Sequence, residues 1–150
     1  MARRLPRLLV AVSLLLALTA PLLAASLTGR WERRAPMRAA RSEVAAAAAG
    51  GRLYVVGGFG SGGDVVEEYD PAADAWRQRA SLPAAVHHPA AASLDGTLYV
   101  LGGYRDGWAP VADVLAYDPS TDRWMRRASM PTPRGALAAA VLEGKIYAVG

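Results

Sequence analysis

Short apolar runs closed by glycine recur along the chain: "RLYVVGG" (52–58), "TLYVLGG" (97–103) and "KIYAVG" (145–150). Their aromatic and β-branched residues suit a buried pleated strand. Each run is preceded by a stretch of mostly small apolar residues, "SEVAAAAAG" (42–50), "HPAAASLD" (88–95) and "GALAAAVLE" (135–143). A third element runs through Val66 to Tyr69 and Val114 to Tyr117, and a fourth begins at Trp76 and Trp124. The pattern predicts four strands in each period.

Alanine favours helix, but the alanine runs are short and lead straight into Gly50-Gly51, Asp95-Gly96 and Glu143-Gly144. Gly-Gly and Asp-Gly form two-residue hairpin turns whose twist matches the strands they join, and Glu-Gly is a weaker match. The reading is therefore strand, turn, strand. A strand with such small side chains suits the crowded position nearest the axis of a radial array. "DPAAD" and "DPSTD" supply proline and aspartate for a second tight turn, between the third and fourth strands. Both tight turns lie at one end of the unit. The opposite end is left to longer connections that differ between repeats: 59–65, 104–113, 81–88 and 129–134.

Aligned on this period, Tyr69-Asp70-Pro71 falls on Tyr117-Asp118-Pro119, Asp74 on Asp122, and Trp76 on Trp124, with Trp31 one period earlier. A glycine pair after an apolar strand, a tyrosine near the end of the third strand and a tryptophan seven residues further on resemble the kelch repeat. The resemblance covers roughly residues 28–150. It implies an all-β fold, a kelch-type β-propeller of four-stranded antiparallel blades, with about four to eight blades in a ring. The expected divisions are the fourth strand of a preceding or closing blade over 27–40, blades over 41–85 and 86–133, and the first half of a further blade over 134–150. That amounts to about two and a half blades, so the sequence is expected to be part of a longer array. The resemblance also implies structural roles for Gly57, Gly58, Gly102, Gly103, Tyr69, Tyr117, Trp76 and Trp124. In kelch propellers the glycine pair sits where neighbouring blades crowd together, and a Cβ there would collide or force strained dihedrals.

The first 26 residues stand apart. Arg3, Arg4 and Arg7 precede an apolar stretch from Leu8 to Leu18, followed by small residues around Ala24 to Ser26. This order is that of a cleaved secretory signal, and the expected location is secreted or periplasmic. The competing reading is an uncleaved N-terminal anchor. The Arg3-Arg4 pair lacks the surroundings of a twin-arginine signal. Without the leader, the net charge of +4 falls to fourteen basic against thirteen acidic side chains, so nothing favours nucleic-acid binding. The membrane is involved only through the export signal. The chain has no cysteine, so stability has to come from packing.

Candidate chemistry concentrates in the loops. His87 and His88 are the chain's two histidines. Adjacent residues of an extended segment point to opposite sides, so the pair is expected not to share a metal and to be solvated in a loop. No cofactor is expected. Arg41 and Arg134 occupy equivalent positions, with Val86 between them in the series. Arginine there could take a carboxylate through its planar fork or pair with a nearby Asp or Glu. Tyr104, Arg105, Trp108 and Phe59 lie in variable loops, where aromatics suit carbohydrate or peptide contacts. "GGFGSGG" opens no helix and so is no dinucleotide loop. The resemblance implies no single chemistry, because kelch propellers include oxidases, sugar isomerases and many binding modules. The copper radical site of galactose-oxidase-like members includes a cysteine-linked tyrosine, a feature this sequence lacks. The expected function is an exported module that binds a protein or carbohydrate ligand at its loop-rich face. The alternative is a mutarotase-like sugar-acid isomerase or a galactose-oxidase-like enzyme on the same fold.

Overall fold

The computed structural model describes residues 29–60 and 62–150; the expected leader lies outside the described residues. Among the described residues every regular element is a strand. Strands β1 (Ala45–Ala49), β2 (Arg52–Val56), β3 (Val66–Asp70) and β4 (Ala75–Gln78) form an antiparallel sheet in that order. The next blade opens with β5 (Ala90–Leu94) and β6 (Thr97–Leu101). A small hairpin follows, made of β7 (Tyr104–Arg105) and β8 (Ala109–Pro110). The blade is then completed by β9 (Val114–Asp118) and β10 (Arg123–Arg126). Strands β11 (Ala138–Leu142) and β12 (Lys145–Val149) form a third, two-stranded sheet.

The turns follow the sequence. Gly50 and Gly51 take φ of 56° and 74°, Asp95 and Gly96 take 50° and 76°, and Glu143 and Gly144 take 50° and 68°. Two successive left-handed residues give the turn whose twist suits a tight hairpin, and Glu-Gly adopts it as fully as Asp-Gly does. First strands of successive blades lie side by side, β1 against β5 and β5 against β11. Their alanines are what allow that approach.

The first glycine of each pair shows why a side chain is excluded. Gly57 has φ +69° and Gly102 has φ +59°, a region that favours glycine. A Cβ on Gly57 would lie 2.6 Å from the Val86 carbonyl oxygen, and one on Gly102 would overlap the Arg134 carbonyl. Both obstacles belong to the segment leading into the next sheet. The second glycine of each pair donates its N–H across the same seam, Gly58 to Val86 O at 2.9 Å and Gly103 to Arg134 O at 2.8 Å.

The repeated Tyr, Asp and Trp form a staple. Tyr117 donates its hydroxyl to Asp122 Oδ1 at 2.6 Å, and Ala80 donates its N–H to the same oxygen at 2.9 Å. Trp124 Nε1 donates to the Ala80 carbonyl at 2.8 Å. The second sheet thus grips the segment that arrives from the first, just after β4. Tyr69, Asp74 and Trp76 bind the backbone of Ala35 in the same way. Hydrogen bonds from Tyr117 and from the Ala80 N–H hold the Asp122 carboxyl below its usual range, as those from Tyr69 and the Ala35 N–H do for Asp74. The fourth strand expected over 27–40 is not formed: residues 29–40 contain no strand, and Trp31 lies in none.

The interior lies between the two complete blades. Tyr54, Val56, Val66, Leu98, Val100, Leu115 and Tyr117 are buried together, and the rings of Tyr54 and Tyr117 meet edge to face at 5.7 Å. The first blade also buries charge. Glu67 and Glu68 are 2% and 1% exposed. Glu68 accepts from Tyr54 at 3.0 Å and from Arg77 at 2.9 and 2.6 Å. Burial, then the Glu68 hydrogen bond, pushes the Tyr54 hydroxyl up to about 12.

Candidate functional site

Five rings from three separate segments meet where the long connections of the two complete blades face one another. Phe59 comes from the connection after β2, His87 and His88 from the approach to β5, and Tyr104 and Trp108 from the β7–β8 hairpin. The hairpin turns through Asp106 and Gly107, at φ 46° and 86°. Its root is fixed by backbone pairing, with Tyr104 donating to His87 O at 2.8 Å and His87 to Tyr104 O at 3.2 Å.

The His87 ring stacks on Phe59 at 4.1 Å and on Tyr104 at 5.6 Å. Trp108 meets His87 at 5.1 Å and both His88 and Tyr104 at 5.2 Å. Beside these rings lies a cavity of about 290 Å³ whose lining includes Phe59, Gly63, Val86, His87, Tyr104 and Arg105. That volume is at the lower end of ligand sites, roughly 300–1,000 Å³. Trp108 is 65% exposed and Phe59 44%, so both keep a free face. Gly135 makes room for Tyr104, because a Cβ there would run into the tyrosine ring.

The histidines depart from expectation in two ways. His87 is buried, not solvated. The two rings also do not point apart: His88 has φ +53°, outside the extended region, and this brings His87 Nδ1 and His88 Nδ1 to 2.8 Å. His87 Nε2 reaches the Gly107 carbonyl at 2.8 Å, and His88 Nε2 lies 2.9 Å from Glu43 Oε2. Glu43 sits one period before His88 and shares its conformation, with φ 54°, and Ala136 repeats it again at 55°. His88 donates its N–H to Glu43 O at 2.9 Å and Ala136 donates to His88 O at 3.0 Å, so the three positions are linked through backbone from blade to blade. Among the described residues no group of three or more His, Asp or Glu is placed to hold a metal ion.

Of the sequence candidates, the structure brings His87, His88, Tyr104, Arg105 and Trp108 together and leaves out two arginines. Arg105 lines the cavity and pairs with Asp113 at 2.7 Å. Burial alone would raise the Asp113 carboxyl, but hydrogen bonds from Arg126 and Arg105 outweigh it and hold the group low. Arg41 is not available to a ligand. Its side chain is fully buried and donates to the carbonyls of Gly57 at 2.8 Å and Val65 at 3.0 Å, and to Glu67 Oε2 at 2.8 Å. Arg134 bonds to the Gly150 carbonyl as Arg41 does to Gly57, but on the surface and away from the ring cluster. Both brace the end of a second strand. Glu43, Gly107 and Gly135 were not singled out from sequence. The signal for Glu43 was its register with His88.

Four-stranded antiparallel blades repeated at a fixed period, and stapled to one another by Tyr, Asp and Trp, define a propeller-type repeat protein. The kelch motif matches residues 40–83 and again 85–131, more than half of the sequence, and the chain belongs to the kelch family. The solved structure of YjhT is similar, with a TM-score of 0.66 at 25% sequence identity over 77% of this chain. The match takes in 35% of YjhT, so this chain spans little more than a third of that protein. No curated protein matches the chain by sequence.

Proposed function

We propose that this chain is the exported, ligand-binding part of a kelch propeller, which takes a protein or carbohydrate ligand at the ring-lined cavity between its two complete blades. The observation that carries the reading is that Phe59, His87 and Tyr104, from three segments, line one cavity, with the exposed Trp108 packed on His87 and Tyr104 beside it. Aromatic faces bury large area at little entropic cost and stack on the apolar side of a sugar ring or a peptide side chain. Arg105 and Asp106 at the rim add a donor fork and an acceptor for hydroxyl or amide groups. The cavity volume fits one sugar ring or one side chain, and a longer ligand would continue over Trp108. Export rests on the order of charged, apolar and small residues in the leader, and N-terminal sequencing of exported protein checks it: a mature chain starting near residue 27 is expected.

The binding test is a glycan array and a peptide array probed in parallel with the wild-type protein, Trp108→Ala and Phe59→Ala. Truncating a central aromatic typically costs 2 kcal/mol or more, so a loss of about thirtyfold or greater is expected for any true ligand. Array signals that neither substitution weakens would place recognition elsewhere and overturn the reading.

A further inference from the structure

The two histidines are tied into a chain of contacts that can be complete in one protonation state alone. The chain runs from Gly107 O through His87 Nε2 and Nδ1, then His88 Nδ1 and Nε2, to Glu43 Oε2, with spacings of 2.8, 2.8 and 2.9 Å. A carbonyl only accepts, so His87 Nε2 must carry a proton. The Nδ1 pair needs one proton and one lone pair between them. A carboxylate only accepts, so His88 Nε2 must carry a proton as well. The three contacts therefore need three ring protons, one more than two neutral imidazoles possess. With one fewer, one of the three contacts must open: His87 faces the Gly107 carbonyl with a lone pair, His88 faces Glu43 with a lone pair, or the two Nδ1 atoms meet lone pair to lone pair. With one more, two N–H groups collide at the Nδ1 pair.

We infer that the histidine pair holds one shared extra proton, and that this proton ties the β7–β8 hairpin over the cavity and makes the site pH-gated. The link to the hairpin is direct. Gly107 lies at its tip, next to Trp108, and its carbonyl is held by His87 from the cavity floor. When the proton count changes, the contact at Gly107 competes with those at Glu43 and the Nδ1 pair, and the hairpin is left with its short β7–β8 pairing and its backbone root at Tyr104. The other groups facing the pair do not supply the missing charge. From the hairpin these are Tyr104, stacked as a ring, Arg105, tied to Asp113, and Asp106 at the rim. From the connection after β2 comes Phe59, which does not titrate. The approach to β11 contributes the Ala136 N–H, on the His88 carbonyl, while Arg134 is held by Gly150. Glu43 is the one carboxylate in contact with either ring among the described residues. The inference rests on the cavity being a ligand site, but the coupling itself is measurable without a ligand.

The experiment is amide hydrogen exchange of the full chain, corrected for intrinsic rates, across the pH range in which histidine titrates. Protection of Gly107, Trp108 and Ala109 is expected to be greatest in a middle window and to fall about tenfold on either side, the worth of one hydrogen bond. Strands β2 and β6 should stay level. Glu43→Gln gives the decisive arm. An amide both donates and accepts, so the chain closes with both histidines neutral, and the alkaline loss should vanish while the acid loss remains. Ring-nitrogen NMR should find protons on His87 Nε2 and His88 Nε2 and one proton between the Nδ1 atoms. Hairpin protection that does not vary with pH, or a Glu43→Gln profile like the wild type, overturns the proton tie and leaves the ligand reading untouched. Arrays without a ligand at the cavity would overturn that reading while the exchange profile still stood.

Discussion

The two complete blades share turns, glycine pair and staple, yet their interiors are built from opposite chemistry. Where the first holds Arg41, Glu67 and Glu68, the second holds Val86, Leu115 and Ala116 at the aligned positions. Arg41 and Glu67 bond to each other with their side chains at 0% and 2% exposure, whereas Val86 and Leu115 are simply packed. Arginine and glutamate stand together in one blade and valine and leucine together in the other, which agrees with the energetics. An ion pair in a buried place can be replaced by apolar residues at little cost, but losing one partner leaves the other charge stranded. Outside the interior the contrast reverses, and the second blade carries the elaboration, in the β7–β8 hairpin. The motif fixes the seams between blades and leaves both the filling and the loops to vary.

The largest expected effect comes from breaking what the blades share. Gly102→Val forces a branched side chain into a left-handed position and onto the Arg134 carbonyl, so the strain of about 1–3 kcal/mol is only part of the cost. Circular dichroism should show loss of the cooperative fold. A variant that melts like the wild type would remove the argument for the seam.

Next comes the exchange of interiors. Arg41→Val leaves Glu67 buried without its partner and should cost about 3–5 kcal/mol, whereas Arg41→Val with Glu67→Leu imitates the second blade and should recover most of it. Denaturant unfolding of the two single variants and the double one measures the coupling. Costs that simply add would show that the pair is not a unit and that the comparison of interiors is misleading.

Acid should act on both blades alike. Asp74 and Asp122 have carboxyls held below the unfolded value, so the stability they lend is present above the ordinary aspartate range, about pH 3.9, and is lost as pH falls through the lower folded value. Melting temperature against pH should decline steeply below about pH 4. The double variant Asp74→Asn with Asp122→Asn keeps an oxygen for the staple and cannot titrate, so its decline should be shallower. Equal slopes would mean that acid acts elsewhere.

The smallest effect on stability is expected where the blades differ most. Trp108→Ala should shift unfolding by no more than about 0.5 kcal/mol, as for an exposed substitution, while weakening ligand capture. A large loss of stability would make Trp108 part of the core rather than of the exposed ring cluster beside the cavity.

The scaffold was legible because a repeat shows its register. Gly57 aligns with Gly102 and Trp76 with Trp124, and each pair turns out to do one job. The site was legible only in its ingredients. Alternation along an extended segment sends His87 and His88 to opposite sides, and nothing local announces that His88 turns left-handed. The reason lies in the next repeat and the previous one, where Ala136 and Glu43 bend alike to keep the backbone bonds between blades. The hairpin strands are two residues each, too short for any periodic signal. For Arg41 the sequence left two roles open, a ligand carboxylate or a neighbouring acid, and the structure shows the second. Its role depends on Glu67, which no spacing rule joins to it.

The backbone link through Glu43, His88 and Ala136 has an evolutionary consequence. It uses main-chain atoms alone, so it restricts the side chain only through the left-handed backbone, which disfavours branched residues, and acid, imidazole and methyl already occupy it in three successive repeats. A duplicated unit would dock through the same bonds with any unbranched residue there. The inner rim is thus a socket into which new chemistry can be plugged, one repeat at a time, while the fold keeps its footing.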